Sequence, residues 1–238
     1  MDVAGTSSGM RAVILSGGIL HDFAATSGAV RDVLTDAGFE VTINADVEAA
    51  LERLGEVDLL VVNCMKWCSH EEFHPELRSE WLLRLRGPAR EGLLGFLARG
   101  GGVLALHTAS ISFDDLPEWR HALGAHWVWG RTTHPPRGST HVVVRTDAHP
   151  VVSGLSSFDV HDEVYSWLDV AADVEPLAWS PHSGADHPLV WAREVGDGGR
   201  IVYDALGHGP ESYESDTHRM LVRNAARWLT EGRRIGPA

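Results

Sequence analysis

His107 closes the stretch GGGVLALHTAS (Gly100 to Ser110), in which three glycines feed an apolar run that breaks off at an imidazole. An imidazole, with an unperturbed pKa of about 6.5, suits proton transfer or metal ligation. Capping the following turn is the plainer use of a histidine so placed. His208 sits in LGHG, whose flanking glycines permit close backbone approach to a ligand and equally make an ordinary turn. His21 follows the paired glycines of GGILHDF, but this segment lacks the Lys-Ser/Thr of a phosphate loop, so a nucleotide site is not supported. In HDEVY (His161 to Tyr165) two acids precede a tyrosine. Side chains alternate along a strand, so one acid at most faces a site, and Glu163 shares its face with Tyr165. A solvated acidic turn is the alternative.

These histidines form no H-E-x-x-H or similar local pair. A divalent metal would therefore need ligands from separate loops, with His107 and His208 as its first candidates. In HWVWG, Trp127 and Trp129 fall on one face of an expected strand, where their rings offer stacking for a sugar; packing is the commoner use of such rings. Cys64 and Cys68 lack a second pair and read as two partly buried thiols, with no disulfide framework. Ser110 and Thr108 have no G-x-S-x-G setting and are weak nucleophiles for a hydrolase.

The elements around these residues follow a repeating pattern. RAVILSGG reads as a buried strand, then a helix carried by Val30, Val33, Leu34 and Ala37 stops at Gly38. FEVTINA, the short helix VEAALERLG and the continuous apolar run VDLLVVNC repeat the unit. Residues 66–87 read as a loop plus a helix, Pro88 opens another helix, and GGVLALH is the fourth strand. The second half is β-rich, with strands in HVVVRTD, EPLAWS, PLVWARE and GRIVYDALGH, before a last helix lined by Leu221, Ala225, Trp228 and Leu229. This pattern predicts an α/β fold, a doubly wound, mostly parallel sheet sandwiched by helices. One domain over residues 9–233, with a flexible leader at residues 1–8, is expected. Ligands of such sheets bind outside the carboxyl ends of the strands, which brings His21, Asn63, His107 and His208 to one edge.

Composition narrows the partners. A net charge of −13 disfavours nucleic acid and anionic membranes, and no apolar segment is long enough to span a bilayer. With no signal-peptide pattern at the N-terminus and only two cysteines, a cytoplasmic location is expected. Leucines 82, 83 and 85 beside Trp81 either pack on the chain's own sheet or cover a subunit interface of a homo-oligomer.

The ordered set GGILHDF, GGGVLALHTAS, HPPRG, HPVVSGL, DEVY, HPLVWARE, GGRIVYDALGH and RNAARWLTEG resembles the ThuA-like family, named for trehalose utilisation, over nearly the whole chain. The resemblance implies a class I glutamine amidotransferase-like fold. In true amidotransferases the elbow after this strand carries a cysteine nucleophile; here the position is His107, which argues against glutaminase activity. The resemblance also implies a role in disaccharide catabolism, on trehalose or a 3-keto derivative supplied by a partner sugar dehydrogenase. Two functions then compete. The first is an enzyme acting on a keto-sugar through His107, His208 and Glu163, with His21, Tyr165, His134, Trp129 and Asn63 binding substrate. The second is a sugar-binding or regulatory protein without turnover on the same scaffold.

Overall fold

In the computed structural model, which describes residues 9–196 and 198–232, the two unbroken apolar runs form the middle of a sheet. Strands β1 (Met10–Gly17), β2 (Phe39–Asn44), β3 (Leu59–Cys64) and β4 (Gly102–Leu106) arise from the four expected segments. Every residue of β3 and β4 is buried, as strands covered on both faces must be. The leader expected at residues 1–8 and the far boundary at residue 233 lie outside the described residues.

The later strands are β5 (Ala125–His126), β6 (Gly138–Val144), β7 (Phe158–Asp162), β8 (Asp169–Val170), β9 (Ala178–His182), β10 (Ala185–Val195) and β11 (Gly199–Asp204). Nine strands make one sheet in the order β2-β1-β3-β4-β11-β10-β9-β6-β7, and β5 pairs separately with β8. From β2 to β11 the pairing is parallel; from β11 to β7 it is antiparallel. β11 therefore joins the two halves, returning beside β4 with Asp204 opposite Leu106. That register puts the chain after β11 next to His107.

Helices α1 (Phe23–Asp36) and α6 (Asp216–Thr230) contact each other and cover one face, while α2 (Val47–Leu51), α4 (Gly87–Ala98) and α5 (Pro117–Leu123) lie on the other. Asp22 caps α1 by accepting from the Ala25 amide, and Gly38, at φ 96, turns the chain out of it. α6 buries Leu221, Ala225, Trp228 and Leu229, the face read from its spacing. One glycine of the GGG run is required by this docking: a Cβ on Gly102 would stand 2.4 Å from the Leu229 carbonyl oxygen. The glycine brings α6 against β4.

Three segments differ from expectation. Residues 66–87 hold only a 3-10 turn at Pro75–Leu77 and one helical turn, α3 (Arg78–Trp81). His70 and His74 take positive φ there, and Trp81 stacks on Trp67 at 4.2 Å, so a small aromatic core replaces helical order. Trp81 and Leu85 are fully buried inside the chain. HWVWG leaves its strand after His126, because the Trp127 amide donates to the Ser110 carbonyl and the Val128 amide to Thr132 Oγ1. β7 likewise ends at Asp162, so Glu163 and Tyr165 lie in the extended chain beyond it.

Candidate active site

His107 follows β4 directly and opens a 3-10 turn (His107–Ser110) with φ at 42. For a residue with a Cβ this left-handed conformation costs about 1–2 kcal/mol, and it persists only where neighbours hold it. They do so from three sides. The Tyr203 hydroxyl donates to the His107 carbonyl at 2.8 Å, and the ring's Nδ1 donates to the Ala205 carbonyl at 2.7 Å. Thr108 and Ser112 hydroxyls both donate to the Cys64 carbonyl, at 2.8 and 2.7 Å, tying the turn to the end of β3.

Because Nδ1 carries the hydrogen, the neutral His107 ring offers a lone pair at Nε2. Around that atom lie the Tyr165 hydroxyl at 3.0 Å, His21 Nε2 at 3.1 Å and Glu163 Oε1 at 3.4 Å. His21 is oriented the same way, its Nδ1 donating to the Ile19 carbonyl at 3.2 Å, so its Nε2 also presents a lone pair. Glu163 holds two further imidazoles: His208 Nδ1 stands 3.1 Å from Oε1 and His134 Nδ1 2.9 Å from Oε2. The carboxylate is 3% exposed and His134 is 40% exposed, so His134 is the outward-facing ring of the group.

Electrostatics divide these groups. Burial alone would raise the Glu163 carboxyl, yet the contacts of His107, His134 and His208 outweigh it and hold the group well below the usual carboxylate range. Burial, then the neighbouring His107 and His208, push His21 down to about 3, so it stays neutral. The hydrogen bond to Glu163 raises His134. Burial keeps Tyr165 protonated, well above its ordinary value, so its hydroxyl donates to His107 Nε2. The centre thus combines an ionised carboxylate, the neutral His21 imidazole and a phenol donor.

His208 is placed by Asp162, a residue the strand alternation turned away from the site. Both oxygens of its buried carboxylate accept from the loop, the Gly207 amide at 2.7 Å and the His208 amide at 3.4 Å. Gly207, at φ 111, leaves room there for the Tyr213 hydroxyl, which a Cβ would meet at 2.5 Å. Further back, Asp204 Oδ2 lies 2.8 Å from His218 Nε2, inside the protein. No local motif marks either acid.

Two expected binders do not reach the cluster. Asn63 is buried and spends its amide on Thr26 Oγ1 and Ser27 Oγ, at 3.0 and 2.9 Å, fastening α1 to β3. Trp129 is one ring too far out, 5.1 Å from His70 and 5.4 Å from Phe73. Its neighbour Trp127 borders the site instead, packing edge-on to Tyr165 at 5.0 Å and 6.1 Å from His134. The two rings meet at 6.3 Å in a loop, not on one face of a strand.

His21, His107, Glu163 and His208 each bring one donor atom within 4.8 Å of the others. Cys68, Asp114 and Asp115 make a second such group, but its acids are engaged: Asp114 accepts from the Cys68 and Ser69 amides and Asp115 pairs with Arg86. Burial pushes the free thiols of Cys64 and Cys68 up to about 12, which leaves both unreactive as thiolates. Tyr165 also lines a cavity of about 420 Å³ with Arg131, Trp167, Asp186 and His187. Trp167 is a large exposed aromatic at its rim, held with φ at 63.

Solved structures share this architecture. A ThuA-like protein from Parabacteroides merdae superposes with a TM-score of 0.77 at 18% identity, covering 95% of this chain and 91% of that one. One from Bacteroides uniformis gives 0.72 at 20%, covering 96% and 94%. A glutamine amidotransferase from Thermotoga maritima gives 0.56 at 14%, covering 94% and 99%. At these identities the likeness concerns the fold. No curated protein matches. The ThuA family, described as trehalose utilisation, matches residues 11–229, a span that holds the elbow, the Glu163 segment and the His208 loop, and the chain belongs to that family.

Proposed function

We propose that this protein acts on a sugar or keto-sugar, removing a proton next to the carbonyl at the centre built on His107, Glu163 and His208. Membership of a family described by trehalose utilisation supports a role in sugar utilisation. The observation that carries the chemical reading is a buried carboxylate in contact with three imidazoles, beside an elbow that holds His107 where a nucleophile would stand. Such a carboxylate is a weak base, since its charge is held far below the usual range. It keeps the imidazoles oriented, and an imidazole takes the proton.

A ketone at one ring carbon acidifies the adjacent C–H bond. The base removes that proton, the C–H electrons form a C=C bond, and the glycosidic C–O bond one carbon further breaks with its electrons. The leaving oxygen is then reprotonated. No covalent intermediate with the protein is needed, in keeping with the absence of a thiolate at the elbow. The Tyr165 hydroxyl and the His107–His208 side face the carbonyl oxygen, while His134, outermost on Glu163, exchanges protons with solvent. A dehydrogenase that oxidises a sugar hydroxyl would supply such a substrate.

The test is incubation with 3-keto-trehalose and related keto-glycosides in D2O, followed by NMR. Deuterium at the carbon beside the ketone, or released free sugar, is expected, with both lost in His107→Ala and His208→Ala. Tight binding without exchange or cleavage by the wild type overturns the enzyme and supports a sugar-binding protein. The exposed Trp167 at the rim of the 420 Å³ cavity favours that second reading.

A further inference from the structure

We infer that His21, His107, Glu163 and His208 form a binding site for one divalent transition-metal ion of the zinc class. Hydrogen positions carry the argument first. The ring nitrogens Nδ1 of His107 and His21 both face main-chain carbonyl oxygens, of Ala205 and Ile19, and a carbonyl only accepts. Each Nδ1 is therefore N–H, and the two Nε2 lone pairs are aimed at one another across 3.1 Å. Glu163 Oε1, an anion, stands 3.4 Å from the same His107 nitrogen. His208 Nδ1 is buried and, although 3.1 Å from Oε1, is out of line for a hydrogen bond and has no such partner among the described residues. Two imidazole lone pairs, an anionic oxygen and the unbonded His208 Nδ1 converge, and among the described residues a single donor, the Tyr165 hydroxyl on His107 Nε2, reaches them. That hydroxyl rotates, and with it turned aside a single cation at the centre satisfies all four atoms at once.

The spacing agrees. Tetrahedral coordination with metal–nitrogen bonds of roughly 2.0–2.1 Å sets neighbouring donor atoms about 3.3 Å apart. The three measured edges are 3.1, 3.1 and 3.4 Å, and all four atoms lie within 4.8 Å. Three imidazole nitrogens and one carboxylate oxygen suit zinc, cobalt or nickel, and not calcium or magnesium, which take oxygen cages. The Ala205 and Ile19 carbonyls supply the outer hydrogen bonds that fix ligand tautomer and ring orientation in metal sites. Set beside the proposed function, the ion would take the carbonyl-oxygen side of the site and leave His134, which lies outside the four-atom group, for proton exchange.

The inference stands on this donor set and is tested without substrate. Full-length protein is stripped with a strong chelator, dialysed, and titrated with Zn2+ and with Co2+, metal content being read by elemental analysis and cobalt by its visible d–d bands. One tightly held equivalent per chain and a tetrahedral cobalt spectrum are expected. His208→Ala, on a loop, and His21→Gln, partly buried, should each weaken binding at least 10-fold with circular dichroism unchanged. The exposed His141→Ala should bind like the wild type. A stripped wild type that takes up neither ion in stoichiometric amount, or uptake indifferent to both His208→Ala and His21→Gln, overturns the inference. Keto-sugar turnover is assayed separately. Turnover intact in a protein that binds no metal removes the ion and spares the proposed function; metal uptake without turnover does the reverse.

Discussion

The residue with most at stake is His107, whose ring is used and whose backbone is strained. Its φ of 42 is favourable only for glycine, so removing the ring in two ways separates the strain from the chemistry. His107→Gly and His107→Ala both abolish the imidazole, but the glycine variant should be more stable than the alanine variant by about 1 kcal/mol in urea titrations. Equal stabilities, or alanine ahead, would mean that the turn relaxes and the elbow is not strained. Glu163 acts through charge. Glu163→Gln keeps the shape and loses the anion that three imidazoles contact, so kcat on a keto-sugar should drop about 100-fold or more while the thermal transition stays cooperative. A variant with unchanged kcat would exclude Glu163 from the machinery.

At the scale of elements, the loop after β11 is held by two acids that no motif announced. Asp162 accepts two amides from Gly207 and His208, and hydrogen bonds to a charged group contribute about 1.5–3 kcal/mol each. Asp162→Ala should therefore lower the urea midpoint and loosen His208, visible as faster amide exchange at Gly207. Asp204 and His218 tie the same loop to α6, both side chains being fully buried. Burial alone would lower His218, but Asp204 outweighs it and raises the ring above 6.5, and both its nitrogens face acceptors, Asp204 Oδ2 and the Ser212 carbonyl. With the folded value raised, this contribution is complete below the unfolded value of 6.5 and is lost as pH rises through the folded value. Unfolding free energy should fall as pH rises above 6.5, and His218→Gln should flatten that slope at a cost of about 3–5 kcal/mol. A slope of the same steepness in the variant would assign it to other groups.

Over the whole molecule, the join between α6 and the sheet sets stability. Gly102→Ala drives a Cβ into the Leu229 carbonyl, and overpacking of about 1–3 kcal/mol corresponds to a fall in Tm of roughly 2–12 °C for a chain of this size. An unchanged Tm in scanning calorimetry would show that α6 shifts freely. The parallel half of the sheet was legible because buried strands write themselves as unbroken apolar runs, and the carboxyl-end rule then brought His21, His107 and His208 together. The same rule misplaced Asn63, whose amide turns inward to Thr26 and Ser27, a choice made by α1 and invisible in the strand itself. Alternation misplaced Trp127 and Trp129 because a distant bond from the Trp127 amide to Ser110 and a local one from the Val128 amide to Thr132 pull that segment out of its strand. Asp162 escaped notice for the reverse reason: its partners are main-chain amides, which have no residue type to read.

That last point reaches His107 as well. Its Nδ1 hydrogen is directed by the carbonyl of Ala205, whose own amide is bonded to the Leu189 carbonyl on the neighbouring strand. Any amino acid at position 205 brings the same oxygen, and only proline would forfeit the amide that anchors it. The tautomer of the central imidazole is thus a property inherited from strand pairing, immune to side-chain drift at the residue that specifies it. A lineage descending from this chain can exchange the rings around His107 and alter what the pocket accepts, while the direction of that one lone pair passes on unchanged.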